Sequence, residues 1–282
     1  MENAIELTGL AKRYDEFTLA PLMLSLPAGC IMGLIGENGA GKSTTIRLML
    51  DLIARDGGEA RLFGRDVRER PQDWKEQVGV VLDECFFPDT LNLKEIGRVL
   101  ASAYRAFDAA AFDGYARRFD LSPRKKISDY SRGMKMKLSI AAALSHGARL
   151  LVLDEATSGL DPLVRDEMLD VFLEFIQDER NAVFISSHIL SDLEKICDYI
   201  AFLHKGKLRF CEQKDALLSR YGVLKCTAAD FARVNPALVH GARRGAFGVE
   251  ALVERDKMPG GLLVERAGIE DIMLYMSRED ER

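Results

Sequence analysis

A glycine-rich segment that ends in lysine and serine carries the most specific chemistry in this 282-residue sequence. Its residues are Gly36, Glu37, Asn38, Gly39, Ala40, Gly41, Lys42, Ser43 and Thr44. Glycines let successive backbone N–H groups point at phosphate oxygens, and the positive end of a following helix attracts the same anion. The spacing therefore predicts a nucleotide-binding loop, in which Lys42 reaches the β and γ phosphates of the nucleotide and the Ser43 hydroxyl binds Mg²⁺.

Two adjacent carboxylates, Asp154 and Glu155, follow an apolar run at Leu150–Leu153. Ligands of open parallel sheets bind at the carboxyl ends of the strands, so we expect Asp154 near Mg²⁺ and Glu155 beside the attacking water. Without the phosphate-binding loop, the same pair would equally suit a strand that ends in solvent. The loop favours the catalytic interpretation.

His188 follows another apolar run, Val183–Ser186, at what should be the same edge of the sheet. An imidazole there can reach the γ-phosphate, although a histidine at the start of a helix often has no such role. The other histidines, His146, His204 and His240, are not expected to act in the reaction.

The elements that must position these residues alternate between short apolar runs and longer amphipathic stretches, a pattern that predicts an α/β fold with a mostly parallel sheet. The predicted strands are Cys30–Ile35, Val78–Leu82, Leu150–Leu153, Val183–Ser186 and Ile200–Leu203. The predicted helices are Thr44–Leu52, Lys135–Ala143, Leu163–Gln177 and Ile189–Cys197. A β layer is expected at Ile5–Leu26, with a turn near Asp15–Glu16, and a mostly helical inserted lobe at about 91–145.

The pattern changes after about Ser219, which predicts a main domain at 1–219 and a small α+β appendage at 220–282. The predicted strands there are Val223–Thr227 and Leu262–Glu265, and the predicted helices are Asp230–Val234 and Ile269–Ser277. Gly241–Gly248 and Pro259–Gly261 are rich in residues that interrupt regular structure.

Composition narrows the function classes. The chain has 39 Lys plus Arg against 44 Asp plus Glu and a net charge of −5, so nucleic acid is not the expected partner. No apolar run reaches 18 residues and the first ten residues are acidic, which predicts a cytoplasmic protein without membrane span or signal peptide. The five cysteines are expected to be buried free thiols: Cys30, Cys85, Cys197, Cys211 and Cys226.

A further segment, Tyr130–Leu138, lies between the two nucleotide motifs, and with it the chain from Met1 to about Ser219 resembles the ATP-binding subunits of ABC transporters. In that resemblance Tyr14 is similar to the adenine-stacking aromatic, 36–44 to Walker A, and 150–155 to Walker B with its catalytic glutamate. Ser158–Asp161 is similar to the D-loop and His188 to the switch histidine. A variant of the signature motif is formed by Ser131, Arg132, Gly133 and Met134.

The resemblance implies a P-loop ABC cassette with a parallel core, an antiparallel β layer and a helical lobe. It also implies an ATPase that uses Mg²⁺, with Glu155, His188 and Lys42 in catalytic roles. A second cassette, identical or not, would complete each site with its signature motif. A separately encoded membrane permease would dock near Asp83–Asn92, where Phe86, Phe87 and Leu91 are apolar, and would place the chain at the inner face of the membrane. The variant motifs resemble the ABC-2-type export branch.

Three departures from the family pattern stand out. Arg132 and Met134 replace a glycine and a glutamine of the signature, and Arg132 adds positive charge near the γ-phosphate or the surface of the partner. Asp83 stands where the Q-loop has glutamine; it can still meet Mg²⁺ or its water, but it cannot donate as an amide does. Ala156 follows Glu155 in place of the usual proline.

Two other function classes fit parts of the sequence. An ABC protein acting on ribosomes or DNA would usually carry two cassettes or a long coiled-coil insertion, whereas one cassette is found here with 88 residues between Lys42 and Ser131. A permease-bound cassette that senses or signals without transport is the other alternative.

Overall fold

The computed structural model describes residues 2–69, 71–245 and 248–279. The strands are β1 (Asn3–Arg13), β2 (Thr18–Pro27), β3 (Ile31–Ile35), β4 (Gly57–Leu62), β5 (Arg65–Asp66), β6 (Val78–Val81), β7 (Leu150–Asp154), β8 (Ala182–Ser186), β9 (Tyr199–His204), β10 (Lys207–Gln213), β11 (Tyr221–Cys226), β12 (Val239–Gly245), β13 (Gly248–Glu254) and β14 (Leu263–Arg266). The helices are α1 (Lys42–Met49), α2 (Pro71–Lys75), α3 (Leu93–Ala103), α4 (Ala109–Arg118), α5 (Arg132–Leu144), α6 (Pro162–Phe175), α7 (Leu190–Ile196), α8 (Lys214–Arg220), α9 (Ala228–Phe231) and α10 (Ile269–Glu279). Of these described helices, none has the length and apolarity that crossing a membrane requires.

A mostly parallel sheet lies at the centre, with the strand order β10-β9-β3-β8-β7-β6. Its strands run parallel except β10, which pairs with β9 in the antiparallel sense at the edge. Both faces are covered, so strands such as β7 are apolar throughout and divide their side chains between two cores. Leu151 and Leu153 belong to the core that holds α5 and α6, while Leu150 and Val152 belong to the core that holds α1 and the N-terminal sheet. The predicted α/β fold with a parallel core is confirmed.

The N-terminal β layer is a separate antiparallel sheet with the order β2-β1-β4-β5. Strands β1 and β2 occupy the predicted segment, and the chain turns between them where the Tyr14 N–H donates to the Phe17 carbonyl at 2.7 Å. Strands β4 and β5, which the sequence pattern did not reveal, complete the sheet. Their apolar residues Ala60 and Leu62 pack into the same core as Ile5 and Leu22.

The helical lobe contains α3, α4 and α5, as expected for 91–145. Helix α3 begins with a reciprocal cap, because the Asn92 side chain accepts from the Glu95 N–H at 3.1 Å and the Glu95 carboxylate accepts from the Asn92 N–H at 2.9 Å. Ile96 of α3, Phe112 of α4 and Leu138 of α5 are buried in the core of the lobe.

Two helix boundaries next to the nucleotide motifs differ from the prediction. Helix α1 spans Lys42–Met49 rather than Thr44–Leu52, and the chain leaves the helix through Asp51, whose φ of 52° is left-handed. Helix α5 starts at Arg132 rather than Lys135, because the Ser131 side chain caps it by accepting from the Met134 N–H at 3.3 Å. The signature residues therefore form the first turn of a helix.

The C-terminal region forms an antiparallel sheet in the order β12-β13-β11-β14, with α10 packed on β12 and β13. The interpretation of Gly241–Gly248 as irregular was wrong for most of that segment, which holds the paired strands β12 and β13; residues 246 and 247 lie outside the described residues. Gly241 has a φ of 126°, and a Cβ there would lie 2.1 Å from the Tyr275 carbonyl oxygen. The glycine serves the close approach of α10 to the sheet rather than a turn.

The C-terminal region packs onto the rest of the molecule through one continuous apolar core. Val223 of β11 and Ile272 of α10 belong to the same buried cluster as Leu193 and Ile196 of α7. On its other face, the sheet has a small core of its own around Leu224 and Val253. The predicted one-and-a-half-turn helix at Asp230–Val234 is a single turn, Ala228–Phe231.

The five cysteines are free, but only Cys197 is fully buried, and burial raises the pKa of its thiol. The prediction that all five thiols are buried was wrong for the others, which are half-buried: Cys30, Cys85, Cys211 and Cys226. They lie at the margins of the apolar cores rather than inside them.

Candidate nucleotide site

The glycine-rich loop connects the carboxyl end of β3 to the first turn of α1. Gly39 and Gly41 have φ values of 81° and 109°, a left-handed conformation that bends the loop back over the start of α1. A Cβ at Gly41 would also lie 2.9 Å from the Phe17 ring. Among the described residues no side chain caps α1, so the N–H groups of its first turn remain available to an anion.

Lys42 is the first residue of α1, and its side chain reaches back over this loop. Its side chain is 7% exposed, and Nζ donates to the Gly36 carbonyl at 2.8 Å and approaches the Glu37 carbonyl at 3.4 Å. The loop backbone therefore holds the ammonium group over the same N–H groups that face an anion. A polyphosphate bound there would meet a fixed cation.

Asp154 and Glu155, at the end of β7, have different environments. Asp154 is buried, and its Oδ1 accepts from the Ser186 hydroxyl at 2.5 Å. Glu155 has a left-handed φ of 53°, which turns its side chain away from the strand direction, and its N–H donates to Ser186 at 3.1 Å. The strand end thus fixes one carboxylate inside the sheet and presents the next one outward.

Glu155 joins the two other predicted catalytic residues. One carboxylate oxygen lies 3.7 Å from Lys42 Nζ, and the other lies 2.6 Å from His188 Nδ1. His188 is half exposed and follows β8, as its sequence position predicted. The three side chains, which are up to 146 positions apart in sequence, meet at one edge of the central sheet, as expected for strands that all end there.

A cleft of about 620 Å³ surrounds this group, a volume within the range of small-molecule sites. Predicted residues that line it are Tyr14, Glu37, Asn38, Gly39, Gly41, Lys42, Ser43, Thr44, Asp83, Arg132, Glu155 and His188. Predicted residues that do not line it are Gly36, Ala40, Ser131, Gly133, Met134 and Asp154. The structure therefore brings the phosphate-binding loop and Tyr14 together with Glu155 and His188, which follow β7 and β8. Most of the signature motif lies outside the cleft.

Two residues of the cleft were absent from the predicted site. Phe17 lines it and packs against Tyr14 with ring centroids 6.4 Å apart. Ser158, predicted only as part of the D-loop, also lines it, and its N–H donates to the Glu155 carbonyl at 3.0 Å. The sequence did offer a signal for Phe17. It is an aromatic residue three positions after Tyr14, and a turn between two paired strands places both rings on one side.

The predicted Mg²⁺ ligands Ser43, Asp83 and Asp154 do not form a cage. In the part of the chain that the structure describes, no three acidic, histidine or cysteine side chains are placed to hold a metal. That arrangement fits Mg²⁺, which commonly uses one or two protein oxygens together with substrate phosphates and water. Ser43 and Asp83 line the cleft, and Asp154 lies behind it on Ser186.

Asp192 of α7, four residues after His188, has a buried carboxylate. This carboxylate lies 3.7 Å from Arg165 of α6. Burial raises the pKa of Asp192, while Arg165 and the Thr157 hydroxyl partly offset that effect. The Arg165–Asp192 pair therefore connects α6 to α7, the helix that follows His188.

Comparison with known proteins decides the family. The ABC transporter family model matches residues 19–158. Bacitracin transport ATP-binding protein BcrA of Enterococcus faecalis is 37% identical over 211 residues, which cover 74% of this chain and 68% of that protein. The chain belongs to the ATP-binding proteins of ABC transporters. The predicted family is confirmed.

Further similarities agree. The daunorubicin/doxorubicin resistance ATP-binding protein DrrA of Streptomyces peucetius is 36% identical over 214 residues, which cover 73% of this chain and 64% of that protein. A solved ATP-binding subunit of an ABC transporter superposes with a TM-score of 0.69 at 27% identity, covering 76% of this chain and 91% of that one. This ABC protein is an ATP-binding ATPase, and the relatives named above are ATP-binding proteins of transporters or of drug resistance.

Proposed function

We propose that this ABC ATPase hydrolyses ATP with Mg²⁺ as one of two cassettes and drives export through a separately encoded membrane permease. The observation that carries the proposal is the position of Glu155 between Lys42 and His188. That position puts a carboxylate base next to the cation that meets the terminal phosphates. A binding-only site would not need the base.

Hydrolysis uses these three side chains in distinct roles. Lys42 binds the β and γ phosphates, and Glu155 accepts a hydrogen bond from the water that attacks the γ-phosphorus. His188, at 2.6 Å, orients the Glu155 carboxylate and faces the γ-phosphate. When ATP binds, its phosphates replace Glu155 as the counter-charge of Lys42, which frees the carboxylate for the water.

Mg²⁺ would be held by the Ser43 hydroxyl and, directly or through water, by Asp83 and Asp154. The ion supplies charge neutralisation to the phosphates. The Ser186 hydroxyl, which donates to Asp154, fixes the direction of that carboxylate. Tyr14 and Phe17 give an aromatic surface at which the adenine ring stacks.

The cleft lacks most of the signature motif, which supports a role for a second cassette. Ser131, Gly133 and Met134 do not line the cleft of their own chain. They form the N-cap and first turn of α5, where Ser131 is exposed and Gly133 and Met134 are half-buried. The N-terminus of a helix attracts anions, so this turn is suited to the γ-phosphate held by another cassette. Two chains that exchange these turns complete two sites.

The permease contact is assigned to a groove between β6 and the helical lobe. Val80, Phe86 and Phe87 line it together with Leu100 and Tyr104. Phe86 is 71% exposed, and exposing so large an apolar side chain to water is unfavourable unless a partner protein covers it. Leu91, the third predicted contact, packs instead against the core of the lobe.

Direction, location and domain division complete the proposal. Relatives named for bacitracin transport and for daunorubicin/doxorubicin resistance support export from the cytoplasmic face of a membrane. No nucleic acid is assigned, given the net charge of −5. Residues 1–219 act as the cassette, with the lobe at about 91–145, and residues 220–282 act as an accessory domain.

Glu155→Gln tests the proposal, with Glu179→Gln as the matched control on an exposed site outside the cleft. We expect the Glu155 variant to lose at least about 10²-fold in steady-state hydrolysis, because the base is gone, while it keeps its affinity for ATP. Light scattering should show an ATP-dependent dimer that persists. The control should hydrolyse ATP at the wild-type rate. Undiminished hydrolysis by Glu155→Gln would exclude Glu155 as the base.

A further inference from the structure

His204 is a polar side chain buried at the end of an apolar strand. It is the last residue of β9, its side chain is 3% exposed, and residues 200–203 before it are buried and apolar. Moving an imidazole from water into such surroundings costs free energy unless polar partners compensate it. A hydrophobic residue would fill the same place without that cost, so the partners of His204 indicate what the histidine does.

One partner of His204 belongs to the phosphate-binding loop. The Nδ1 atom of His204 lies 3.0 Å from Oε1 of Glu37, a contact distance for an imidazole and a carboxylate. Attraction at that distance requires a hydrogen on Nδ1, because an ionised carboxylate only accepts hydrogen bonds. Glu37 is 44% exposed and lines the nucleotide cleft, whereas His204 does not line it. The histidine therefore holds the carboxylate from behind the wall of the cleft.

The turn that follows β9 fixes the backbone of the same loop. The Gly206 N–H donates to the Ala40 carbonyl at 3.1 Å. At the start of the loop, a Cβ on Gly36 would lie 2.5 Å from the Leu203 carbonyl oxygen, so loop and strand end are in close contact. With its backbone held in this way, the loop can change the position of the Glu37 charge mainly by turning that side chain.

The direction of the Glu37 carboxylate matters because a nucleotide brings several negative charges into the cleft. The loop N–H groups and Lys42 attract those charges, whereas a carboxylate turned toward them would repel them. Glu37 is also next to the binding cation, since Nζ of Lys42 approaches the Glu37 carbonyl at 3.4 Å. A carboxylate on this residue is therefore unfavourable for phosphate binding unless another group holds it aside.

We propose that His204 is a positioning residue for nucleotide binding. It holds the Glu37 carboxylate against the end of β9 and thereby keeps a negative charge away from the phosphates. The inference rests on the proposed function, which places polyphosphate at this loop, and deepens it with a residue outside the cleft. No role in the reaction was expected for His204, because its contact with Glu37 joins two residues that are distant in sequence.

Calorimetric Kd values for ATP, measured without added Mg²⁺, test the contact. His204→Leu has a similar volume but no N–H group, and it should weaken ATP binding about fivefold. His204→Asn should recover most of the affinity, because its amide nitrogen can donate from nearly the same place as Nδ1.

A second variant tests the same contact without changing the core. Glu37→Asp keeps the charge but is too short to reach His204, so it should weaken ATP binding about as much as His204→Leu does. This result decides the question even if His204→Leu does not fold. The matched control is Glu179→Asp, the same change at an exposed glutamate outside the cleft, and it should leave the Kd unchanged.

A double-variant cycle separates positioning from a merely structural role. In a Glu37→Gln background there is no charge to hold, so adding His204→Leu should change the Kd for ATP less than twofold. The Kd ratio between His204→Leu and wild type should also shrink as NaCl is raised from about 50 mM to about 500 mM, because salt screens the repulsion. An equal loss in the Glu37→Gln background, a ratio that does not depend on salt, or no loss at all would overturn the proposal.

Lys42→Ala shows whether a failure lies in the inference or in the proposed function. If Lys42→Ala loses ATP affinity while His204→Leu and Glu37→Asp bind ATP as wild type does, the loop binds phosphate and the inference alone is wrong. If Lys42→Ala keeps the wild-type Kd, the phosphates do not bind at this loop, and the proposed function and the inference both fail.

Discussion

The cassette and the C-terminal region use polar side chains in different ways. The cassette buries charged and polar groups such as Lys42, Asp154 and Asp192 close to the cleft. In the described part of the C-terminal region, 220–245 and 248–278, the side chains that reach the same burial are hydrophobic or belong to the tyrosines Tyr221 and Tyr275. Glycines with positive φ occur in both, yet Gly41 shapes a binding loop and Gly241 admits a packed helix.

Burying a charge costs free energy unless partners and hydrogen bonds compensate, so a region that does so repeatedly needs a functional reason. In the cassette, Lys42, Asp154 and Glu155 meet at the carboxyl ends of β3 and β7, beside the end of β8. The C-terminal region avoids that cost and is built as a packing unit. The difference indicates that damage to the first region should remove activity, whereas damage to the second should remove stability.

The largest expected effect is on activity and comes from Lys42→Ala. Removing the buried cation should lower hydrolysis by about three orders of magnitude and weaken ATP binding, because the phosphates lose a fixed positive charge. Stability should change much less. Lys257→Ala removes a lysine of the C-terminal region that pairs with Glu254 at the surface, and it should leave both readouts unchanged. An unaltered calorimetric Kd for ATP in Lys42→Ala would contradict the binding role of the buried cation.

The next effect is on stability and comes from Gly241→Ala. The new Cβ would meet the Tyr275 carbonyl at 2.1 Å and require a strained φ of 126°, so the free energy of unfolding should fall by about 3 kcal/mol. ATP affinity of the folded protein should stay within twofold. Gly260→Ala is the control, since a Cβ there meets nothing within 4 Å. Urea denaturation measures the free energy of unfolding of both variants, and calorimetry measures their Kd for ATP. A lost ATP affinity in folded Gly241→Ala would show that the two regions are not separable.

Much of the site could be predicted from sequence, because its parts are short and local. The glycine-rich loop, the carboxylates after β7 and His188 each follow an apolar strand, and parallel strands bring such ends together without further information. Phe17 escaped prediction because its position depends on how β1 turns into β2. The contact between Arg132 and Gly159 could not be predicted because the two residues are 27 positions apart in sequence.

In the C-terminal region, prediction failed where tertiary packing decides the role of a residue. Gly241, Gly245 and Gly248 suggested irregular chain, yet β12 and β13 pair across that segment. A glycine can interrupt a strand or allow another backbone to approach it, and only the position of Tyr275 separates the two cases. The same limit applies to Leu91, whose apolar side chain was equally suited to a permease contact and to the core.

The smallest expected effect tests whether burying charged groups in the cassette lowers the free energy of unfolding. Because burial raises the pKa of Asp192, the neutral carboxyl favours the folded state. This contribution is complete below the unfolded pKa of about 3.9 and is lost as the pH rises through the folded pKa. Asp192→Asn stays neutral, so its unfolding free energy relative to wild type should improve between pH 4 and pH 7, by less than about 1 kcal/mol.

Asp178→Asn is the control, because its free energy of unfolding relative to wild type should change with pH in the opposite direction. Arg180 lowers the pKa of Asp178 to about 2, so the stability that this exposed pair contributes is present above the unfolded pKa and is lost as the pH falls. Relative to wild type, Asp178→Asn should therefore worsen as the pH rises, where Asp192→Asn improves. Urea unfolding from about pH 2 to pH 7 compares the two slopes, since the change expected for Asp178→Asn falls mainly below pH 4 and that for Asp192→Asn above it. Slopes of the same sign would mean that Arg165 outweighs burial at Asp192, and that this buried charge is stabilising rather than a cost of the site.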